Sequence, residues 1–328
     1  MLSEGELRSV IRSAIRAPSS HNTQPWLFEY SGDSILLYAD RLRALPANDP
    51  FDRELTLSCG AALFNLHVAI AALDLSTEVD VMPEGRRSDL LAEVRLGPGP
   101  GADERTLAAS IDRRRTTRAG FTGEPPDPDT IEAMKTAAVA EGAWIEVVSE
   151  PSERQEISDL IAEGDRRQFS DATWRRELAS WMHPRRTGDG LAVPGFSRPI
   201  AKLVVSAFDL GRTTGRKDAR LADEAPCIAV LGTDLDLEEN WLMAGQALQR
   251  ALLVAASGGI QAGYMNQPCQ VADLRPRLRS LLGRRDHPQA ILRLGYPDPP
   301  AEPSPRRDVE QVLQKTFPVE SRFNQTAP

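Results

Sequence analysis

APSSHNTQPW, residues 17–26, joins a predicted helix to a predicted strand and concentrates polar side chains between two prolines. The prolines prevent regular structure here, so hydroxyl, imidazole and carboxamide groups are available for other hydrogen bonds. The polar groups are those of Ser19, Ser20, Asn22 and Gln24, and the rigid apolar walls are Pro18, Pro25 and Trp26. This combination suits a flat heterocycle with a mixed polar edge. A capped turn without a ligand is the alternative. We call residues 17–26 the polar hinge.

Regular elements are predicted on both sides of the polar hinge. Before it, Ser3 and Glu6 fit a capping box, and apolar residues recur at helical spacing as far as Ile15. After it, WLFEYSGDSILLYAD alternates around a Ser-Gly-Asp-Ser turn, which predicts a β-hairpin. A long apolar helix is predicted from about residue 55 to residue 73, followed by the strands STEVDVM and AEVRLG.

The order of elements recurs after GPGPGADE, residues 97–104, whose composition is typical of a linker. At a fixed offset of 185 positions, Glu54, Leu57, Gly60, Ala62, Leu63, Ala71 and Pro83 match Glu239, Leu242, Gly245, Ala247, Leu248, Ala256 and Pro268. Chance identity between two helices rich in Ala and Leu is the alternative. Because a strand carrying RLG follows both helices, we predict a tandem duplication with repeats at residues 1–97 and 105–328 and a linker at 98–104.

An insertion at about residues 151–223 has no counterpart in the first repeat. Within it, Trp174, Leu178 and Trp181 fall on one face of a predicted helix, and several glycines then break the chain. Such a segment suits a lid over a site or a dimerisation arm. Two tryptophans that pack a small subcore are the alternative.

Two arginine clusters stand out in this acidic chain: RRRTTR at residues 113–118 and PSPRRD at residues 303–308. Both lie beside predicted turns. Guanidinium groups match phosphate oxygens in pairs, so the clusters suit a phosphate monoester, although a solvated run of surface charge is the alternative for each. A phosphate at one end and a ring at the other would describe a mononucleotide-like cofactor.

Composition excludes several classes of function. The 328 residues carry a formal net charge of −8, which argues against a nucleic-acid partner. Charged residues interrupt the N-terminal apolar positions, so no signal peptide is expected, and the apolar stretches predict buried helices instead of membrane spans. Cys59, Cys227 and Cys269 form no C-x-x-C pair, which favours a reduced, cytoplasmic protein.

Metal and dinucleotide motifs are also missing from the sequence. The four histidines, His21, His67, His183 and His287, share no metal-ligand spacing, so no metal site is expected. GGIQAG, residues 258–263, lacks the spacing of a dinucleotide fingerprint and follows a predicted helix. A resident NAD domain is therefore not expected.

The polar hinge closely resembles the signature of the nitroreductase family of flavoproteins, in which Ala-Pro-Ser-x-x-Asn-x-Gln-Pro-Trp follows the first helices. RRTTR at residues 114–118 resembles the family's Arg-Arg-Ser-x-Arg motif, and RLGYP at residues 293–297 resembles its Gly-x-Pro strand end. Together the motifs span most of the chain. The resemblance implies an α+β nitroreductase-like fold that binds FMN.

The order of the motifs departs from that of ordinary family members. The ordinary members of the family that these motifs resemble are homodimers with two FMN molecules in the subunit interface. In each of their chains the arginine motif comes before the Pro-Ser motif. Here the arginine motif comes second, and the hinge equivalent of the second repeat, AAVAEGAW at residues 137–144, lacks the polar groups. Two repeats packed as an intramolecular pseudo-dimer would therefore form one FMN site. This is similar to the Acg-type group of tandem nitroreductase-like proteins, whose lid would correspond to the insertion.

The resemblance also implies which residues bind the cofactor. The phosphate and ribityl oxygens would be held by Arg114, Arg115, Thr116 and Arg118, with Arg306 or Arg307 closing the phosphate site. The isoalloxazine would be lined by Pro18, Ser19, Ser20 and Asn22, with Gly259, Ile260, Asn266 and Gln267 along its edge.

The activity implied is ping-pong hydride transfer from NADPH or NADH to the flavin and then to a small nitro, quinone or enone acceptor. No catalytic side chain is expected, because the cofactor carries the chemistry. The alternative is a non-catalytic FMN-binding protein that stores, sequesters or senses flavin behind a closed lid. The resemblance implies a monomeric pseudo-dimer or a homodimer formed through the lid region.

Overall fold

Helices packed on two main β-sheets, whose strand pairs are mostly antiparallel, make up the described part of the protein. A computed structural model describes residues 1–85, 88–99, 103–183, 188–192 and 218–314. Its helices are α1 (Glu4–Ala14), α2 (Arg53–Ala71), α3 (Ala108–Ile111), α4 (Pro128–Ala140), α5 (Pro151–Ser170), α6 (Ala172–Ser180), α7 (Glu238–Ser257), α8 (Gln267–Gln270), α9 (Leu274–Leu281) and α10 (Val309–Val312). Its strands are β1 (Trp26–Ser31), β2 (Ser34–Ala39), β3 (Leu75–Val81), β4 (Leu90–Pro98), β5 (Trp144–Val148), β6 (Met182–His183), β7 (Leu191–Ala192), β8 (Cys227–Thr233), β9 (Gln261–Tyr264), β10 (His287–Gly295) and β11 (Leu313–Gln314). This α+β architecture agrees with the sequence prediction.

The two sheets have the same strand order. The first contains β1-β2-β4-β3 and the second β5-β8-β10-β9, and every neighbouring pair within these two sets is antiparallel. The first sheet has an additional edge strand, because β11 pairs parallel with β1. Residues 296–314, here called the C-terminal segment, therefore run from the second sheet to the first.

The long helices α2 and α7 cross at glycine. A Cβ atom on Gly60 would lie 2.0 Å from the carbonyl oxygen of Leu242, and a Cβ on Gly245 would lie 2.0 Å from that of Leu57. The apolar packing is reciprocal as well, since Leu57 joins the core of the second sheet and Leu242 joins the core of the first. Only glycine permits this approach of the two backbones.

Helix α2 is long and apolar enough to cross a membrane, as judged from length and composition alone. In the fold, 89% of its most apolar window is buried. The helix is therefore part of the protein core, as the sequence predicted.

The segment before RRRTTR, residues 113–118 and here called the arginine run, has less helix than the sequence predicts. The sequence ERTLAASIDRRR predicts one helix, but a 3-10 turn at Asp103–Leu107 leads into α3, which ends at Ile111. The chain then turns so that Thr116 and Thr117 lie along β9, where the Thr117 N–H donates to the carbonyl oxygen of Ala262 (2.8 Å). This tertiary pairing ends the helix early.

Part of the insertion is helical. It contains α5, α6 and the small parallel pair β6–β7. Residues 184–187 and 193–217 of the predicted insertion lie outside the described residues.

Candidate functional site

The polar hinge forms a strained turn between α1 and β1. His21, Asn22 and Gln24 have φ angles of 49°, 55° and 53°, in the left-handed region that non-glycine residues rarely adopt. The Ser19 hydroxyl accepts a hydrogen bond from the backbone N–H of Gln24 (3.0 Å) and helps to hold the turn. Strain of this kind often accompanies ligand sites.

A cavity of about 400 Å³ lies beside the polar hinge, within the range of small-molecule sites. The hinge contributes Pro18–Asn22, and the arginine run contributes Thr116–Arg118. The end of β9 and the start of α8 contribute Tyr264–Gln267, while α2 and the insertion complete the walls. The cavity thus brings together segments that are distant in the sequence.

Most of the predicted site residues line this cavity. They are Pro18, Ser19, Ser20, Asn22, Thr116, Arg118, Asn266, Gln267 and Arg306. Arg114 lies directly beside it, with a guanidinium N–H 3.4 Å from the Thr116 hydroxyl.

Four predicted site residues are placed elsewhere. Ile260 packs in the core of the second sheet, and Gly259 lies next to the ring of Tyr296. Arg115 donates to the carbonyl oxygen of Asp112 (2.6 Å). Arg307 donates to the carbonyl oxygen of Gln24 (3.0 Å) and forms an ion pair with Asp40 (3.2 Å). These contacts direct the four residues away from the cavity wall.

One end of the cavity concentrates positive charge. Arg114 and Arg306 both donate to the carbonyl oxygen of Arg16 at 2.9 Å. Burial lowers the pKa of both guanidinium groups, and Arg306 is destabilised further by the charges of Arg114, Arg16 and Arg115. Asp112 lies 3.3 Å from Arg16 at the exposed side. Because the Nε atoms of Arg114 and Arg306 are buried without a partner in the described structure, a bound anion would relieve this end of the site.

The carboxamide of Asn22 fixes the hinge in place. Its Nδ2 group donates to the carbonyl oxygens of Gly190 and Pro305 (3.2 Å each), and its Oδ1 accepts from Arg306 (3.2 Å). Asn22 therefore joins the hinge to the insertion and to the C-terminal segment.

The cavity wall also contains polar side chains that are not among the predicted site residues. Glu54, only 2% exposed, lies in the first turn of α2. Burial raises the pKa of Tyr264 to about 12, and its hydroxyl has no hydrogen-bond partner among the described residues. Burial lowers the pKa of His21 to about 4, so its imidazole is neutral at pH 7. The one available signal was Glu54 itself, an acidic residue at the start of an apolar helix.

The insertion also contributes to the cavity wall. Phe169 of α5 and Trp174 of α6 line the cavity and pack edge to face, with ring centroids 5.0 Å apart. The indole N–H of Trp174 donates to Oδ1 of Asn48 (2.9 Å), and the Glu177 carboxylate accepts from the backbone N–H groups of Ala47 and Asn48 (2.8 and 2.9 Å). Helix α6 is thereby attached to the loop before α2.

The sequence model described as the Nitroreductase family matches residues 111–296, more than half of the chain. The chain belongs to the nitroreductase family. The match begins at the end of α3 and ends just beyond β10, so it covers the arginine run and the second sheet.

Relatives extend the similarity to nearly the full length of this nitroreductase-family chain. The protein named "Putative NAD(P)H nitroreductase Rv3131" from Mycobacterium tuberculosis is 32% identical over 317 residues, covering 94% of this chain and 91% of its own. "Putative NAD(P)H nitroreductase acg" from the same organism is 29% identical, covering 95% of this chain and 96% of its own. The crystal structure of the FMN and NADPH-dependent nitroreductase NfnB from Sphigopyxis sp. is 17% identical, with a TM-score of 0.44, covering 63% of this chain and 97% of that one.

Proposed function

We propose that the cavity binds one FMN and that the protein is an NAD(P)H-dependent flavin oxidoreductase. The observation that carries the proposal is the polarity of the cavity. Buried guanidinium groups form one end, and the proline-flanked hinge and Tyr264 form the wall beyond it. A phosphate joined to a flat polar ring matches this arrangement, and the relatives named as nitroreductases support the same chemistry.

The unpartnered polar atoms support the fit of FMN. Within the described part of the chain, they are the Nε atoms of Arg114 and Arg306 at the positive end, and Nδ1 of His21, the Tyr264 hydroxyl and Oε1 of Gln267 along the wall. Buried polar atoms are rarely left without partners in folded proteins. The phosphate, ribityl and ring heteroatoms of FMN could supply partners of both kinds.

We also propose that the two repeats form an intramolecular pseudo-dimer. The identical strand order of the sheets and the reciprocal packing of Leu57 and Leu242 support it. The first repeat supplies the polar hinge and the second supplies the arginine run. The hinge equivalent at residues 137–144 lacks the hydroxyl and carboxamide side chains of the polar hinge, so we infer a single FMN per chain. The repeat boundaries 1–97 and 105–328 remain part of this proposal.

The protein side of the reaction consists of binding and orientation. FMN, when bound, supplies the hydride-accepting and hydride-donating chemistry. Arg114 and Arg306 would hold the phosphate, and Thr116 and Ser20 would orient the ribityl chain and the ring. Phe169 and Trp174 would restrict water around the ring, which strengthens electrostatic interactions there. NADPH or NADH would bind transiently, followed by a small nitro, quinone or enone acceptor.

A second candidate function is storage, sequestration or sensing of FMN without turnover. The insertion favours it, because its side chains form a wall of the cavity and α6 is attached to the body through Asn48. We propose that the insertion acts as a lid in either case. In the non-catalytic case it would also exclude the nicotinamide and the acceptor.

Reduction of the bound flavin distinguishes the two functions. We expect the purified protein to be yellow and to lose its absorbance when NADPH or NADH is added without oxygen. A flavin that stays oxidised would favour storage or sensing. Protein that neither contains FMN nor takes it up would contradict both functions.

Loss of the guanidinium groups tests the phosphate assignment. The double variant Arg114→Ala, Arg118→Ala should release FMN, as measured by ultrafiltration and flavin fluorescence. Arg113→Ala is the matched control, since Arg113 belongs to the same run but donates to the Ala109 carbonyl oxygen (3.3 Å) and does not line the cavity. Retention of FMN in the double variant would contradict the assignment.

Location and assembly are further parts of the proposal. The three cysteines are buried and free, which supports a reduced, cytoplasmic protein. We propose a monomer or a homodimer formed through the insertion, and light scattering at several concentrations would distinguish them.

A further inference from the structure

Glu54 organises one wall of the cavity. Its carboxylate accepts a hydrogen bond from the Ser20 hydroxyl (2.6 Å), two from the Gln270 carboxamide (2.9 and 3.0 Å) and one from the Asn266 carboxamide (3.2 Å). All three donors line the cavity, as does Glu54 itself. One buried carboxylate therefore sets the orientation of three other wall residues.

These bonds fix the hydrogen-bonding polarity of the wall. Ser20 has one hydroxyl proton, and that proton is directed to Glu54, so the hydroxyl can only accept a hydrogen bond from a ligand. The oxygen of Asn266 accepts from the backbone N–H of Ile291 (3.0 Å), and that of Gln270 accepts from Gln168 (2.7 Å). Both carboxamides thus turn their N–H groups toward Glu54, and their orientations are determined.

The negative charge of Glu54 has a neighbouring cation, but the contact between them is long. Arg53 approaches to 3.5 Å, but its guanidinium also donates to the carbonyl oxygens of Gln289 (2.7 Å) and Cys269 (3.2 Å). The other donors to Glu54 are neutral. Since the carboxylate is 2% exposed, solvent screens its charge weakly.

We propose that Glu54 is a positioning residue that lowers the midpoint potential of the bound flavin and makes Ser20 an acceptor toward the ring. This inference rests on the proposed FMN site. Reduction by NAD(P)H transfers a hydride, two electrons and one proton, so the reduced ring gains a negative charge unless it takes up a further proton. A nearby buried carboxylate disfavours that charge and therefore favours the oxidised flavin.

The midpoint potential of bound FMN, measured by equilibration with a redox dye, tests the proposal. We expect Glu54→Gln to raise the potential by about 30 mV or more, which corresponds to a tenfold change in the ratio of FMN dissociation constants for the two redox states. Glu54→Asp keeps the charge and should leave the potential close to that of the wild type. The measurement belongs near pH 8.5, because the pKa of Asp49, which burial and then Glu54 raise to about 7, would otherwise respond to the substitution.

Glu239→Gln is the matched control. Glu239 occupies the position of Glu54 in the second repeat, in the first turn of α7, and does not line the cavity. We expect it to leave the potential unchanged. If Glu54→Gln fails to fold, Ser20→Ala decides the question. It removes a donor that compensates the Glu54 charge, so the potential should fall.

The outcomes separate this inference from the proposed function. An upward shift in Glu54→Gln with none in Glu239→Gln supports the role of Glu54. Equal weakening of FMN binding in both redox states, with an unchanged potential, would overturn it and leave the FMN site intact. Equal shifts in the two Gln variants, or a potential in Ser20→Ala that stays constant or rises, would also overturn it. A wild-type protein that binds no FMN would overturn both proposals.

Discussion

At the scale of single residues, the positive end of the cavity is the feature most dependent on a ligand. Arg306 donates to the carbonyl oxygen of Arg16, just before the hinge, and to two groups of the hinge, the carbonyl oxygen of Ala17 and Oδ1 of Asn22, yet burial and its arginine neighbours disfavour its charge. A guanidinium remains protonated even so. A phosphate bound at this end would offset the free-energy cost of burying the Arg306 charge beside other arginines.

We therefore expect Arg306→Met to weaken FMN binding at least tenfold, because a hydrogen bond to a charged group contributes about 1.5–3 kcal/mol. Titration with FMN, followed by quenching of flavin fluorescence, measures this. Arg307→Met is the control, since Arg307 pairs with Asp40 and does not line the cavity. A larger loss in Arg307→Met than in Arg306→Met would contradict the account.

Asp165 makes the free energy of unfolding depend on pH. Burial, and then the charge of Asp218, raises the pKa of Asp165 to about 7, whereas a carboxyl in the unfolded chain titrates near 4. Between these values the folded protein holds a proton that the unfolded chain has released. The contribution of protonated Asp165 to the stability of the folded protein is fully present below about pH 4 and is lost as the pH rises through about 7.

Asp165→Asn should remove this dependence, because the amide is neutral and its oxygen can still accept from Gln267 (3.2 Å). We expect its melting temperature to match that of the wild type near pH 4.5. At pH 8 it should exceed the wild type by about 2 °C or more, the shift that ~1 kcal/mol produces in a chain of this size. A difference that is constant over this pH range would contradict the raised pKa.

Sequence could predict the site residues that belong to local motifs and could not predict the rest. Ser20 and Thr116 stand in recognisable runs, and both line the cavity. Glu54 also lines the cavity but belongs to no recognisable motif. Its burial depends on partners such as Asn266 and Gln270, which are more than 200 positions away in the sequence. The burial of Ile260, just before β9, was not predictable for the same reason, because it depends on tertiary packing in the core of the second sheet.

At the scale of elements, the crossing of α2 and α7 depends on glycine. A Cβ atom on Gly245 would lie 2.0 Å from the Leu57 carbonyl oxygen and 2.8 Å from the Gly60 Cα. Gly245→Ala should therefore destabilise the protein by about 1–3 kcal/mol or more, because the helices must move apart. Gly5→Ala on α1 is the control, since no atom lies within 4 Å of the new Cβ. Denaturant unfolding measures both, and an unchanged stability of Gly245→Ala would contradict the packing.

Several long elements were predictable from hydrophobic periodicity, whereas the 20-residue helix α5 and the shortest elements were not predicted. The hairpin of β1 and β2 and the helices α2 and α7 carry enough residues to show their period. Helix α8 has four residues and β11 has two, so neither contains a full repeat of any pattern. Both exist because of what they pack against, which the sequence does not state.

At the scale of the whole molecule, the C-terminal segment connects the two sheets. It carries Arg306 past the hinge, and its described part ends with β11, which pairs with β1 of the first sheet. The weak identities at an offset of 185 positions predicted a repeat, and the shared order β1-β2-β4-β3 and β5-β8-β10-β9 is compatible with the proposed repeats. The crossing of β11 was not predictable, since it leaves no trace in the local pattern.

The amount of FMN bound per chain shows whether the polar hinge and the arginine run together form a single cofactor site. Flavin released by denaturing the saturated protein would be quantified by absorbance against the protein concentration, with the molar mass taken from light scattering. We expect one FMN per chain, whether the protein is a monomer or a dimer. Two FMN per chain, one FMN shared by two chains, or none would contradict it.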